Sequence, residues 1–218
     1  VFGKEKDSIT NLLNYAHTRE YITEYISTQG AKGAVLMIDI DDFQKLNETL
    51  GYFFGDQIIS SVAKVLTRVF RKSDIIGRLS GDRFLVFMKG DVPSEKIEEK
   101  VNEVCCEVQK IYCGEHLQKV SVSIGVARLE SGREGFDELC KKAEGALFYA
   151  KEKGKNLCQF YEDEMEGATA AFRYRHSGNT SAKTETYDAF YNEIAEMSFR
   201  LMEDTTDADG SILLLLSK

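Results

Sequence analysis

Proline is nearly absent, one residue beside 17 glycines in a chain of 218, which excludes collagen-like and proline-rich scaffolds. Histidine is scarce as well. His17, His116 and His176 stand apart with no partner at ligand spacing, so no zinc centre is expected. The five cysteines, Cys105, Cys106, Cys113, Cys140 and Cys158, are odd in number and form no C-x-x-C pair. Reduced, buried thiols in a cytoplasmic protein are the economical reading. No apolar stretch approaches the roughly 18 residues needed to cross a bilayer and no signal peptide opens the chain, so no membrane contact is expected. Positive charge is the last shortage: 28 Lys and Arg face 36 Asp and Glu, for a net charge of -8 and a pI near 5.1. Binding nucleic acid needs a net basic face, so that partner is set aside, and any anionic ligand must be held by a local site.

What is present is a packed core. Hydrophobic residues make up 43% and charged residues 29%, and the length suits one full domain plus an appendage. Residues 11–29 carry Leu12, Leu13, Ala16, Tyr21, Tyr25 and Ile26 near helical spacing, with Thr10 placed to cap them. Residues 34–38 form a continuous apolar run ending in Asp39, which reads as a strand buried on both faces. Helices are expected over 43–50 and 55–70, the second with Ile58, Ile59, Val62, Val65, Leu66 and Val69 on one stripe. Runs 75–79 and 84–88, joined by Ser80-Gly81-Asp82-Arg83, read as an antiparallel hairpin. A helix over 93–112, a strand over 120–127, a helix over 136–153 and a short strand over 157–161 complete a mixed α/β (α+β) order. It implies a mainly antiparallel sheet flanked by helices, of the ferredoxin-like kind. Beyond residue 161 come the acidic Glu162, Asp163, Glu164 and Glu166, a polar linker-like stretch over 173–183, and Tyr187, Phe190, Tyr191, Ile194, Met197 and Leu201 on one helical face. Residues 1–161 therefore read as the domain. Residues 162–218 read as linker and amphipathic helix, either docked or opening a truncated second domain, and the chain reads as a fragment of something longer.

Chemistry should begin where the buried strand ends. Asp39, with Asp82 at the hairpin tip, brings two carboxylates to one place, and Mg2+ held by one or two carboxylates completes its shell with phosphate oxygens. The plainer alternative is that Asp41 or Asp42 simply caps the next helix. Asn47 and Asp56 offer the donor and acceptor pattern that suits a guanine edge, or are a solvated residue and a helix-start residue. Lys151 and Lys155 close the last long helix, where lysines suit the macrodipole and can also meet phosphate. Neither a G-x-x-x-x-G-K-[ST] loop nor a G-x-G-x-x-G fingerprint occurs, which sets aside P-loop and dinucleotide-fold enzymes.

Taken in order, these residues resemble the GGDEF domain of the diguanylate cyclase family, which condenses two GTP into cyclic di-GMP. Asp7-Ser-Ile-Thr-Asn-Leu-Leu-Asn14 resembles the opening D-x-L-T-G-L-x-N. Asp39-Ile-Asp-Asp-Phe-Gln-Lys-Leu-Asn47, with Gly51 and Gly55-Asp56, resembles D-I-D-x-F-K-x-x-N-D-x-x-G-H-x-x-G-D. Arg78-Leu-Ser-Gly-Asp-Arg-Phe84 occupies the signature R-x-G-G-[DE]-E-F, and Ser121-Val-Ser-Ile-Gly125 with Ala146-Leu-Phe-Tyr-Ala-Lys151 matches the closing pair. The resemblance implies a palm-type fold and a metal site for Mg2+ or Mn2+ made by Asp39, the Ile40 carbonyl and Asp82. It implies guanine reading by Asn47 and Asp56, phosphate contacts by Lys151 and Lys155, and a product-binding R-x-x-D site at Arg71 and Asp74. The last pair also suits a helix end and a turn cap. The family reaction, attack of one GTP's 3'-hydroxyl on the other's α-phosphate, implies a homodimer and adjacent sensory or output domains.

Four departures stand inside that resemblance. Ser80 replaces the first signature glycine, Arg83 a carboxylate, Gln44 a lysine, and Tyr52 the usual histidine. Losing one catalytic charge interaction commonly costs about 10²-fold to 10³-fold in rate. Three readings follow: a weakly active or silent domain that binds GTP or cyclic di-GMP, a working cyclase, and a structural dimerisation module without nucleotide.

Overall fold

The computed structural model describes residues 5–28, 30–111, 119–130, 134–163 and 165, all within a unit spanning Val1–Gly167. The acidic residues Glu164 and Glu166, the polar stretch and the amphipathic face of 187–201 lie outside the described residues, as does Cys113.

Helix α1 (Tyr15–Ile26) leads into strand β1 (Gly33–Ile40), then α2 (Phe43–Leu50), α3 (Tyr52–Val69), β2 (Ile75–Ser80), β3 (Arg83–Lys89), α4 (Ser94–Val108), β4 (Val122–Leu129), α5 (Phe136–Glu152) and β5 (Cys158–Phe160). The sheet order is β2-β3-β1-β4-β5, antiparallel except for the β4–β5 pair. Its first four strands in this order, with helices filling the crossovers, are the ferredoxin-like arrangement expected from the element order.

Alternation along the central strand divides the core. Ala34, Leu36, Ile38 and Ile40 join Phe84, Val86 and the apolar stripes of α3 and α4 on one face. Val35 and Met37 join Leu85, Phe87, Ile22 and the inner residues of α5 on the other. Every β1 residue is buried because helices cover both faces, which is why the run reads as continuous rather than alternating. The parity fixes the site: Asp39 and Arg83 share the odd-numbered face with Val35, Met37 and Phe87, beneath α5.

Several local expectations are corrected. The cap of α1 is Asn14, whose side chain accepts from the His17 N–H, not Thr10. Thr10 is engaged earlier, donating its hydroxyl to Asp7 at 2.7 Å and accepting from the Leu12 N–H. Helix α3 begins at Tyr52 rather than residue 55, because Gly51 at φ 86° lets the chain turn straight from α2 into it. Neither Asp41 nor Asp42 gives α2 a side-chain cap. Among the thiols, Cys106 is exposed, while burial pushes Cys105 up to about 11 and Cys140 and Cys158 up to about 12. Among the described residues no helix is long and apolar enough to cross a membrane.

Candidate functional site

Antiparallel pairing sets Asp39, at the end of β1, opposite Arg83 of β3 on one side and Ser123 of β4 on the other. The turn between β2 and β3 has Gly81 at φ 53°, and the Ile40 N–H donates to the Asp82 carbonyl at 3.3 Å, so the hairpin tip is drawn onto the strand end. Asp82 is thereby placed beside the Asp39 end of β1, as expected for a hairpin tip next to that strand, and its backbone is bonded to Ile40, the residue the resemblance adds. Burial pushes the Asp82 carboxyl up, and repulsion from Asp39 adds to it.

Asp39 itself is 4% exposed and paired twice. Arg83 Nε donates to its Oδ2 at 3.2 Å, and Lys151 Nζ from the last turn of α5 donates to Oδ1 at 2.5 Å. Arg83 reaches onward, donating Nη1 to Glu144 Oε1 of α5 at 3.0 Å. Glu144 escaped sequence reasoning, although it lies two helical turns before Lys151 and so on the same face of α5. Asp82 is a second, part-buried carboxylate near Asp39, and among the described residues no group of three or more metal-ligating side chains forms.

The next two acids of the same tetrapeptide grip the far end of α5. Asp41, 5% exposed, accepts from Ser121 Oγ at 2.7 Å, Ser123 Oγ at 2.6 Å and the Asn156 N–H at 3.0 Å. Asp42, left-handed at φ 54°, accepts from Lys155 Nζ at 2.7 Å, which lowers the Asp42 carboxyl and raises the Lys155 ammonium. Gly154, Lys155 and Asn156 all have positive φ, a conformation unfavourable for the latter two that these contacts hold in place. Asp39, Asp41 and Asp42 therefore fasten Lys151, Asn156 and Lys155 in turn. Both lysines singled out for phosphate thus reach the site, already bound to carboxylates.

Asn47 and Asp56 sit at the α2–α3 corner. Asn47 Oδ1 is buried without a hydrogen-bond partner, and a Cβ at Gly55 would approach it to 2.0 Å, so Gly55 keeps that amide's place open. Asp56 is exposed in the second turn of α3, and Tyr52 at the start of that helix is 82% exposed. Arg71 and Asp74 lie apart from all of these, at the start of β2, about 20 Å of strand away from the hairpin tip. Asp74 caps the turn, accepting from the Arg71 N–H at 3.0 Å and the Lys89 N–H at 3.2 Å. The pair lines a cavity of about 780 Å³ together with Lys64, Arg68, Lys72 and Lys89, a basic concavity on an acidic chain.

Arg78 donates to both Asp7 oxygens at 3.1 Å and to the Gly81 carbonyl at 2.8 Å, tying the opening motif to the signature turn. Burial raises the Asp7 carboxyl, but bonds from Thr10 and Arg78 outweigh it and leave it lowered.

Comparison with known proteins shows the family to which the chain belongs. The family described as "Diguanylate cyclase, GGDEF domain" matches residues 4–157. The signaling protein YkoW of Bacillus subtilis is 32% identical over 168 residues, covering 71% of this chain and 20% of that protein. The probable diguanylate cyclase DgcT of Escherichia coli is 29% identical over 161 residues, covering 69% and 34%. The chain thus spans well under half the length of either relative. The crystal structure of the coiled coil and GGDEF domain of DgcB from Caulobacter crescentus, in complex with c-di-GMP, superposes with a TM-score of 0.67 at 25% identity, covering 72% of this chain and 85% of that one.

Proposed function

The chain belongs to the diguanylate cyclase GGDEF family, and from that premise we propose that its domain binds a guanine nucleotide in cyclic di-GMP signalling while turning GTP over weakly or not at all. The observation that carries this reading is the seat of Arg83. A guanidinium lies on Asp39 where the family signature has a carboxylate, while Asp82 and the open amide of Asn47 are retained.

Asn47 Oδ1 accepts from a guanine N–H and Asp56 takes the remaining edge donors, which favours guanine over adenine. Lys151 and Lys155 exchange Asp39 and Asp42 for phosphate oxygens, and a phosphate bearing more charge than a carboxylate favours the exchange. Asp39, Asp82 and the Ile40 carbonyl are the residues that would hold Mg2+ or Mn2+, which supplies positive charge to the phosphate oxygens. Aligning two nucleotides for transfer takes two domains, so the competent assembly is a homodimer, with sensory or output domains supplied by the longer protein. Arg71 and the basic concavity around it are the candidate seat for cyclic di-GMP. Arg71 forks onto phosphate, and Asp74, already held by two backbone N–H groups, keeps free lone pairs for guanine N–H donors.

The retained Asp82 beside Asp39 favours the second reading, a working cyclase, and one experiment separates the two. Purified chain is incubated with GTP and Mg2+ or Mn2+, and both bound nucleotide and cyclic di-GMP are measured. Bound nucleotide with little product is the expected result. Robust synthesis by the unmodified protein would overturn it.

A further inference from the structure

The side chains that surround Asp39 carry their own compensation of charge. Asp39, Asp82 and Glu144 are negative, while Arg83 and Lys151 are positive, which leaves one negative charge. A carboxylate at position 83 would leave three. The difference of two charges is that of one divalent cation, and here it is built into the chain. Arg83 holds it in a fixed place: β3 parity aims the side chain under α5, Asp39 Oδ2 accepts from Nε at 3.2 Å, and Glu144 Oε1 accepts from Nη1 at 3.0 Å. Its side chain remains 38% exposed and that of Lys151 34% exposed, so both cations can be reached by a dissolved anion. A guanidinium stays charged at every working pH and forks onto phosphate oxygens, and it repels a metal ion approaching the same carboxylate.

We propose that Arg83 is a resident cation that takes over, together with Lys151, most of the phosphate neutralisation a divalent ion provides, so that nucleotide binding at this site is nearly independent of divalent metal. The inference rests on the nucleotide-binding reading above and adds to it which charge holds the phosphates. Glu144 is the positioning residue that keeps the guanidinium at the mouth of the site.

The test measures GTP affinity by calorimetry in EDTA and in millimolar Mg2+, for the parent chain, Arg83→Glu and Arg83→Gln. The parent is expected to change by less than about threefold between the two buffers, and Arg83→Glu to lose more than about tenfold when Mg2+ is withdrawn, the scale of one charged hydrogen-bond partner. Arg83→Gln keeps much of the side chain's reach and should weaken binding in EDTA by about tenfold, separating loss of the cation from gain of a carboxylate. A Mn2+ titration of the nucleotide-free proteins, followed by electron paramagnetic resonance, should show tighter Mn2+ binding to Arg83→Glu than to the parent. A parent that needs Mg2+ as strictly as Arg83→Glu overturns the inference alone. A parent that binds GTP in neither buffer overturns the nucleotide-binding reading and this inference with it.

Discussion

Backbone atoms of helix α5 pack directly against Gly125 of β4, where the lack of a side chain permits the approach. A Cβ built at Gly125 would stand 2.1 Å from the Ala143 carbonyl oxygen, 2.2 Å from the Leu147 nitrogen and 2.8 Å from the Leu147 Cα. All three are backbone atoms of the helix, so no side chain can rotate away. Ordinary contact needs about 3.5 Å, so Gly125→Ala demands that α5 rise off the sheet by roughly 1.3 Å or that β4 sink by as much. Overpacking of a well-packed core costs about 1–3 kcal/mol, and with rigid backbone on both sides the upper end applies, about 3 kcal/mol. For a domain of this size that corresponds to a fall in Tm of about 6–12 °C. The consequence extends to the site, because Lys151 and Glu144 ride on the same helix and reach Asp39 and Arg83 from it. Thermal unfolding by circular dichroism checks the magnitude, with Gly135→Ser as the control. A Cβ at Gly135 meets nothing within 4 Å, and serine is the better residue at the start of a helix. A Gly125→Ala protein melting within 2 °C of the parent would refute the reasoning about how α5 is seated.

Two further predictions concern carboxylates. Asp41→Ala strands two serine hydroxyls and the Asn156 N–H around a buried position, and urea unfolding should show a loss of about 3 kcal/mol, with Asp41→Asn retaining part of it. Asp82 has a folded-state pKa above the ordinary Asp value, so the native state binds this proton more tightly than the unfolded one and stability falls as pH rises through that window. Asp82→Asn should therefore raise Tm at neutral pH in metal-free buffer, and the gain should vanish below the ordinary aspartate range, where both states are protonated; an equal gain at every pH would exclude this cause.

Local pattern carried the reading a long way. The apolar run ending at Asp39, the Ser80–Arg83 turn and the α3 stripe are all statements about neighbours in sequence, and period alone reveals them. The competition at Thr10 shows where local reading stops. Both Thr10 and Asn14 are good caps, and only the prior claim of Asp7 on Thr10 decides between them. The contacts that define the site are of another kind. Arg83 with Glu144, Asp41 with Ser121 and Ser123, and Lys155 with Asp42 join residues 61 to 113 positions apart. They exist only once β1 lies between β3 and β4 and α5 covers one face. Arg83 was visible as a departure from the signature, but its partner was not, since nothing near it in sequence says which helix lies above.

The site is divided in time as well as in charge. β1 is bonded along both edges and covered on both faces, so its amides are released only by opening of the whole domain, and Asp39 stands at the end of the part that moves last. Its two ion-pair partners come from the margin of the fold: Arg83 from the first position of β3 after the hairpin turn, and Lys151 from the final turn of α5. Asp39 is thus a buried negative post, and the part-exposed Arg83 and Lys151 tethered to it are the charges an anion would meet first.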